Sequence, residues 1–119
     1  MGRVKLSFMA KRETLEVLRT FMQERDWNQF HSPENLAKSI AIEAGELLEC
    51  FQWSAEADEV DVRDELADVL TYSLLLADRM GLDPDEIVRE KLKITEKKYP
   101  VDLAYGKATK YTKIDSTED

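Results

Sequence analysis

Four acidic residues stand in two pairs of the same spacing, Glu43 with Glu46 and Glu65 with Asp68. On a helix advancing about 100° per residue, the members of an i,i+3 pair lie about 60° apart on one face. Leu36, Ile40, Glu43, Leu47 and Cys50 fall on one line, and Glu65, Val69, Tyr72 and Leu76 on another. Each pair therefore shares a face with residues that a helix normally buries. Spacing alone proves little, because with 25 acids among 119 residues about five such pairs arise by chance. A solvated charged face is the ordinary reading of any one of them. The alignment with apolar stripes changes the odds. A buried carboxylate without a partner costs several kcal/mol or takes up a proton, and four that converge repel one another.

A basic partner or a cation would resolve that conflict. The apolar faces of these two helices carry no arginine, and only Lys38 lies near the face of Glu43. A hard divalent cation fits better. Mg²⁺ takes oxygen ligands at about 2.0–2.1 Å, keeps several waters and commonly bridges carboxylates to substrate phosphates. Mn²⁺ shares the preference for oxygen. Two or three such ions would leave net positive charge for a triphosphate to meet. Zinc is disfavoured, since His31 and Cys50 are the sole histidine and cysteine. A di-iron carboxylate site needs Glu-x-x-His, and neither pair contains a histidine.

The elements that must hold these acids are helical. Ser32 followed by Pro33 has the form of an N-cap with proline at the first helical position, opening a helix that reaches about Trp53. The polar stretch SAEADEVD links it to a third helix from about Val60 to Met80, which Gly81 is placed to stop. Asp83 and Pro84 repeat the opening signal for a fourth helix ending near Lys98, before Tyr99–Pro100. An earlier helix spans about Arg12 to Arg25, with Val4, Leu6 and Phe8 leading in, and the loop DWNQFHS joins it to the second. Residues 101–119 read as an irregular tail, lysine-rich in GKATKYTK and acidic at its end. Nothing supports a strand, so the expectation is an all-α, four-helix bundle in one domain over 1–119, with its helical core at about 12–98. The second and third helices are too apolar to be solvated on any broad face, which predicts a second subunit against them.

Composition sets limits on partners and compartment. The net charge is −8 with a pI near 4.7, which argues against a nucleic-acid partner held through phosphates. No apolar run approaches the roughly 18 residues of a membrane span. The start, MGRVKLSF, lacks a signal-peptide core, and Leu6 stands where a myristoylation motif has Ser or Thr. The expectation is a soluble, cytoplasmic protein. Cys50 excludes an internal disulfide and, in an apolar stripe, reads as core filler.

The order E-A-G-E (43–46), then E-L-A-D (65–68), resembles the E-x-x-E…E-x-x-D signature of the MazG-like all-α nucleoside triphosphate pyrophosphohydrolases. RDWNQFHSPENLA (25–37), ELLECFQW (46–53), KKYP (97–100) and GKATKYT (106–112) are similar in order and spacing to the dCTP pyrophosphatase branch. The resemblance spans roughly residues 14–112. It implies Mg²⁺-dependent hydrolysis of a nucleoside triphosphate, dCTP or a small set of dNTPs, to the monophosphate and pyrophosphate. It also implies Glu43, Glu46, Glu65 and Asp68 as catalytic metal ligands, and assembly as a dimer or a tetramer with sites shared between subunits. Glu46 is the residue expected to take the attacking water's proton.

With that resemblance, Trp27, Phe30, His31 and Trp53 become expected base contacts and Tyr72 a deoxyribose contact. Without it, the tryptophans seal helix ends. Lys38, Lys107, Lys110 and Tyr111 are expected to meet phosphates, against the plain alternative of a solvated tail. Eukaryotic members of the branch have histidine where this chain has Leu18 and asparagine where it has Thr95. These departures imply a broader deoxynucleotide preference, dATP included. The rival from another class is a non-enzymatic helical dimer, a regulatory or antitoxin-like binding module. An intact acid quartet speaks for the enzyme.

Overall fold

The structure, a computed structural model, describes residues 2–108, 110 and 112, those before 13 by their backbone alone. Helix α1 runs Gly2–Glu24, and a single 3-10 turn, Trp27–Phe30, follows it. Then come α2 (Pro33–Glu49), α3 (Glu59–Arg79), α4 (Pro84–Lys98) and the short α5 (Val101–Ala104). No strand occurs among the described residues, so the chain is all-α as expected. None of its described helices is long and apolar enough to cross a membrane.

Local chemistry explains most of the boundaries. Ser32 Oγ accepts from the Asn35 backbone N–H at 3.2 Å, and Pro33 occupies the first turn where its missing N–H costs nothing. Asp83 Oδ1 accepts from the Asp85 and Glu86 N–H groups at 2.9 and 3.4 Å. Asp58, inside the expected linker, does the same for Val60 and Asp61 at 2.8 and 3.3 Å, so α3 starts at Glu59. Gly81 ends the run with φ 68°, a left-handed conformation that an L side chain rarely adopts.

Three boundaries differ from expectation. Helix α1 begins at Gly2, about ten residues before the expected start near Arg12, so the lead-in with Val4, Leu6 and Phe8 is itself helical. Helix α2 stops at Glu49 and not at Trp53. From Cys50 to Gln52 the backbone N–H groups bond i−3 carbonyls, at 3.2, 3.0 and 3.1 Å, so the chain unwinds through tight turns that a hydrophobic pattern cannot distinguish from helix. The tail is not wholly irregular: Pro100 caps the four-residue α5, whose Leu103 and Ala104 N–H groups both bond the Pro100 carbonyl.

Two compact units divide the chain at Gly81–Leu82. In the first, α2 lies along α3, and α1 touches α3 and the 3-10 turn. Its core is small. Met22 from α1, Leu36 from α2 and Leu75 from α3 meet there, with Leu18, Tyr72 and Leu76 packed around them. Leu36 is completely buried. The Arg19 guanidinium grips both oxygens of Asp78, with Nε to Oδ2 at 3.1 Å, tying α1 to the end of α3. That hydrogen-bonded pairing lowers the Asp78 pKa; the pair is partly exposed and contributes at most about 1 kcal/mol. The second unit holds α4 and α5.

Leu36 is the fully buried member of the core that the three helices share. Leu36→Ala should lower unfolding stability by about 2–5 kcal/mol, the usual range for a buried leucine, read from the midpoint of chemical denaturation.

Candidate metal centre

The packing of α2 on α3 brings the two acidic pairs together. Glu43, Glu46, Glu65 and Asp68 each offer a carboxylate oxygen within 4.8 Å of the others. Glu43 and Glu65 are half-buried, while Glu46 and Asp68 are exposed. The site thus has a dry inner side and a wet outer side. One oxygen of Glu43 and one of Glu65 are shut off from solvent with no hydrogen-bond partner. Buried polar atoms are nearly always satisfied, so two orphans in one cluster call for a ligand.

Electrostatics give the same answer. The Glu43 pKa is pushed up to about 7, first by the hydrogen bond its proton makes to Glu46, then by burial and by the charges of Glu46, Asp68 and Glu65. Glu65 is raised chiefly by burial and next by its hydrogen bond with Glu46. The Cys50 thiol, one turn past Glu46, is raised by burial and by the nearby Glu65. No described basic side chain pairs with any of the four acids. A dication fits this donor set: all ligands are hard oxygens, and two on one Mg²⁺ lie at most about 4.2 Å apart. A spread of up to 4.8 Å suits one ion after small rotamer changes, or a bridged pair.

The remaining expected site residues are distributed unevenly. His31 lies edge-on to Tyr72, with ring centroids 6.4 Å apart, and Tyr72 follows Asp68 by one turn of α3. Trp27 and Phe30 bound the 3-10 turn and are exposed. Trp53 stands beyond α2, 90% exposed. Lys38 points to solvent on α2 and faces Glu34 at 3.8 Å, not the acid cluster. Lys107 and Lys110 are exposed residues of the second unit, and Tyr111 lies outside the described residues. A polar cleft beside His31, walled by Arg19, Gln23, Asn28 and Arg79, has no counterpart in the sequence reading. Its residues come from four elements, α1, the 3-10 turn, α2 and α3, and no local spacing marks them.

Comparison with known proteins defines the class. The MazG-like family matches residues 38–114, a span that includes all four acids, and the chain belongs to that family. It is 39% identical to dCTP pyrophosphatase 1 of Rattus norvegicus and 37% identical to that of Homo sapiens; each match covers 85% of this chain and 68% of the relative. A solved pyrophosphatase from Archaeoglobus fulgidus is 44% identical and superimposes with a TM-score of 0.70, over 75% of this chain and 91% of that one.

The metal-free cluster should leave a signature in stability. A carboxyl whose folded pKa is raised contributes stability below its unfolded pKa, and that contribution is lost as pH rises through the folded value. For Glu43 the window runs from 4.5 to about 7. In chelator, the melting temperature should fall across that window, and Glu43→Gln should flatten the fall. Added Mg²⁺ should restore stability at pH 7.5 by binding only the folded chain. Thermal melts in chelator and in Mg²⁺ check both effects.

Proposed function

We propose that this chain hydrolyses deoxynucleoside triphosphates, dCTP or a small set of dNTPs, to the monophosphate and pyrophosphate, clearing unwanted nucleotides from the cytoplasmic pool. The observation that carries the reading is the pair of orphaned, solvent-excluded oxygens on Glu43 and Glu65 inside a cluster of four converging carboxylates. Membership of the MazG-like family and similarity to proteins named dCTP pyrophosphatase support the reaction class.

In this reading Glu43, Glu46, Glu65 and Asp68 hold Mg²⁺, with Mn²⁺ as a substitute. Bound there, the metal would polarise phosphoryl oxygens, lower the pKa of a water and neutralise the leaving pyrophosphate. The protein's part is mostly placement. Glu43 and Glu65 supply the dry side, where charge interactions are strong. Glu46, on the exposed side, is positioned to take the water's proton. Trp27 and Trp53 stack on the base, Phe30 and His31 close around it, and the Tyr72 ring crowds a 2′-hydroxyl. Lys107, Lys110 and Tyr111 meet the phosphates, while Lys38, turned to Glu34, takes no part.

The same proposal includes self-association. Ile42, Leu48, Leu66 and Leu70 are exposed on α2 and α3 of the first unit, and Val88, Leu92 and Ile94 on α4 of the second, apolar surface that a lone chain leaves in water. A homodimer or homotetramer would cover it and would carry Trp53 to a neighbour's site, with residues 1–119 acting as one domain. Neither nucleic acid nor membrane belongs to the scheme.

The deciding experiment is pyrophosphate release from the four dNTPs with and without Mg²⁺. Release should require Mg²⁺, and Glu43→Gln or Asp68→Asn should lower kcat/KM at least ~100-fold, equivalent to about 2.7 kcal/mol of lost charge stabilisation. Release that persists in chelator, or is absent from every nucleotide, overturns the proposal.

A further inference from the structure

The 3-10 turn that carries Trp27 is held by more ties than a connecting loop needs. Asp26 enters it in the left-handed region, φ 52° and ψ 36°, a conformation uncommon for a residue with a side chain. The Gln29 amide secures it there, donating to the Asp26 carbonyl at 2.9 Å and to Asp26 Oδ2 at 3.0 Å. At the far end, Asn35 Nδ2 donates to the Phe30 carbonyl at 2.9 Å. Side-chain amides thus hold the turn at both ends, Gln29 on Asp26 at its start and Asn35 on Phe30 at its close.

The tryptophan ring itself is fixed from one side. Phe21 meets Trp27 edge to face, with centroids 5.6 Å apart and planes at 77°, within the range aromatic pairs prefer. Phe21 is in turn covered by the Arg25 guanidinium, 3.7 Å from its ring centroid, close enough for a cation–π contact. Arg25 also donates to the Phe21 carbonyl at 3.1 Å. Yet Trp27 remains 43% exposed. A ring that sealed a helix end would be covered. A ring held at one edge and open elsewhere has the form of a stacking platform.

We propose that Phe21 and Arg25 are positioning residues: stacked as Arg25 on Phe21 and Phe21 on Trp27, they set the angle at which the Trp27 ring receives the base of the nucleotide. The inference rests on the function proposed above but extends to two residues that touch no substrate. Fixing the ring before the base arrives removes ordering that binding would otherwise have to supply. Losing the shelf should therefore weaken nucleotide affinity and leave the chemical step alone.

The test uses the full chain labelled with 5-fluorotryptophan and titrated with α,β-imido dCTP in Mg²⁺, followed by fluorine NMR. The Trp53→Phe protein, which retains Trp27 alone, assigns the Trp27 line. In the wild type that line should shift as nucleotide binds. Phe21→Leu should move the line of the free protein, raise Kd and KM about five- to tenfold, and change kcat less than twofold. Phe21 is 38% exposed and outside the core, and Phe21→Tyr, which keeps the ring, should restore both the line and the affinity. Arg25→Gln should give the same pattern at smaller amplitude. A Trp27 line unmoved by nucleotide, or a Phe21→Leu protein with unchanged Kd, overturns the inference while Mg²⁺-dependent hydrolysis still stands. Binding that obeys these expectations in a chain that releases no pyrophosphate overturns the reaction and keeps the shelf. No binding and no release overturn both.

Discussion

Like charges converging where α2 meets α3 are the constraint on which the rest of this structure depends. The two helices cannot lie together along Leu36 and Leu75 without bringing Glu43 and Glu65 to the same place. The metal-free chain answers by protonation, with Glu43 raised to about 7 and Glu65 raised as well. A dication would answer it better, since it satisfies the oxygens that protons leave without partners. Burial and charge are thus set against each other in one contact. Among the described residues, the buried core that holds this contact is Met22, Leu36, Leu75 and Ala77.

This opposition explains the division within the site. Glu43 and Glu65 sit on the dry side, where a charge is costly and an ion is held firmly. Glu46 and Asp68, at the next position around each helix, stay wet. The exposed pair is the side of the cluster open to water. Covering the exposed apolar residues of α2 and α3 by self-association would dry the surroundings further and strengthen every charge interaction inside.

How much of this could be read from the sequence depended on range. Signals within one turn were legible: Ser32–Pro33, Asp83–Pro84 and Gly81 each act through a neighbouring backbone group, and each stands where its chemistry put it. The convergence of the acid pairs was legible because two helical faces repeat the same mixture of apolar and acidic residues. The end of α2 was not, because the turns after Cys50 keep hydrophobic residues in helical register while their hydrogen bonds tighten. Nor was α5, since four residues carry no periodicity. The Asp58 cap was hidden inside a run of acids. Contacts such as Arg19 with Asp78, 59 residues apart, leave no local trace, and the same holds for the polar cleft beside His31. The ring contacts of Phe21 with Trp27 and of His31 with Tyr72 depend on tertiary geometry, which spacing does not encode.

The claim that a dication joins the four carboxylates is tested most directly by anomalous diffraction from crystals grown in Mn²⁺ at pH 7.5. The account predicts one or two manganese peaks between α2 and α3, with oxygens of Glu43 and Glu65 at about 2.2 Å. Crystals showing no such peak, with those two side chains turned to bulk water, would contradict it.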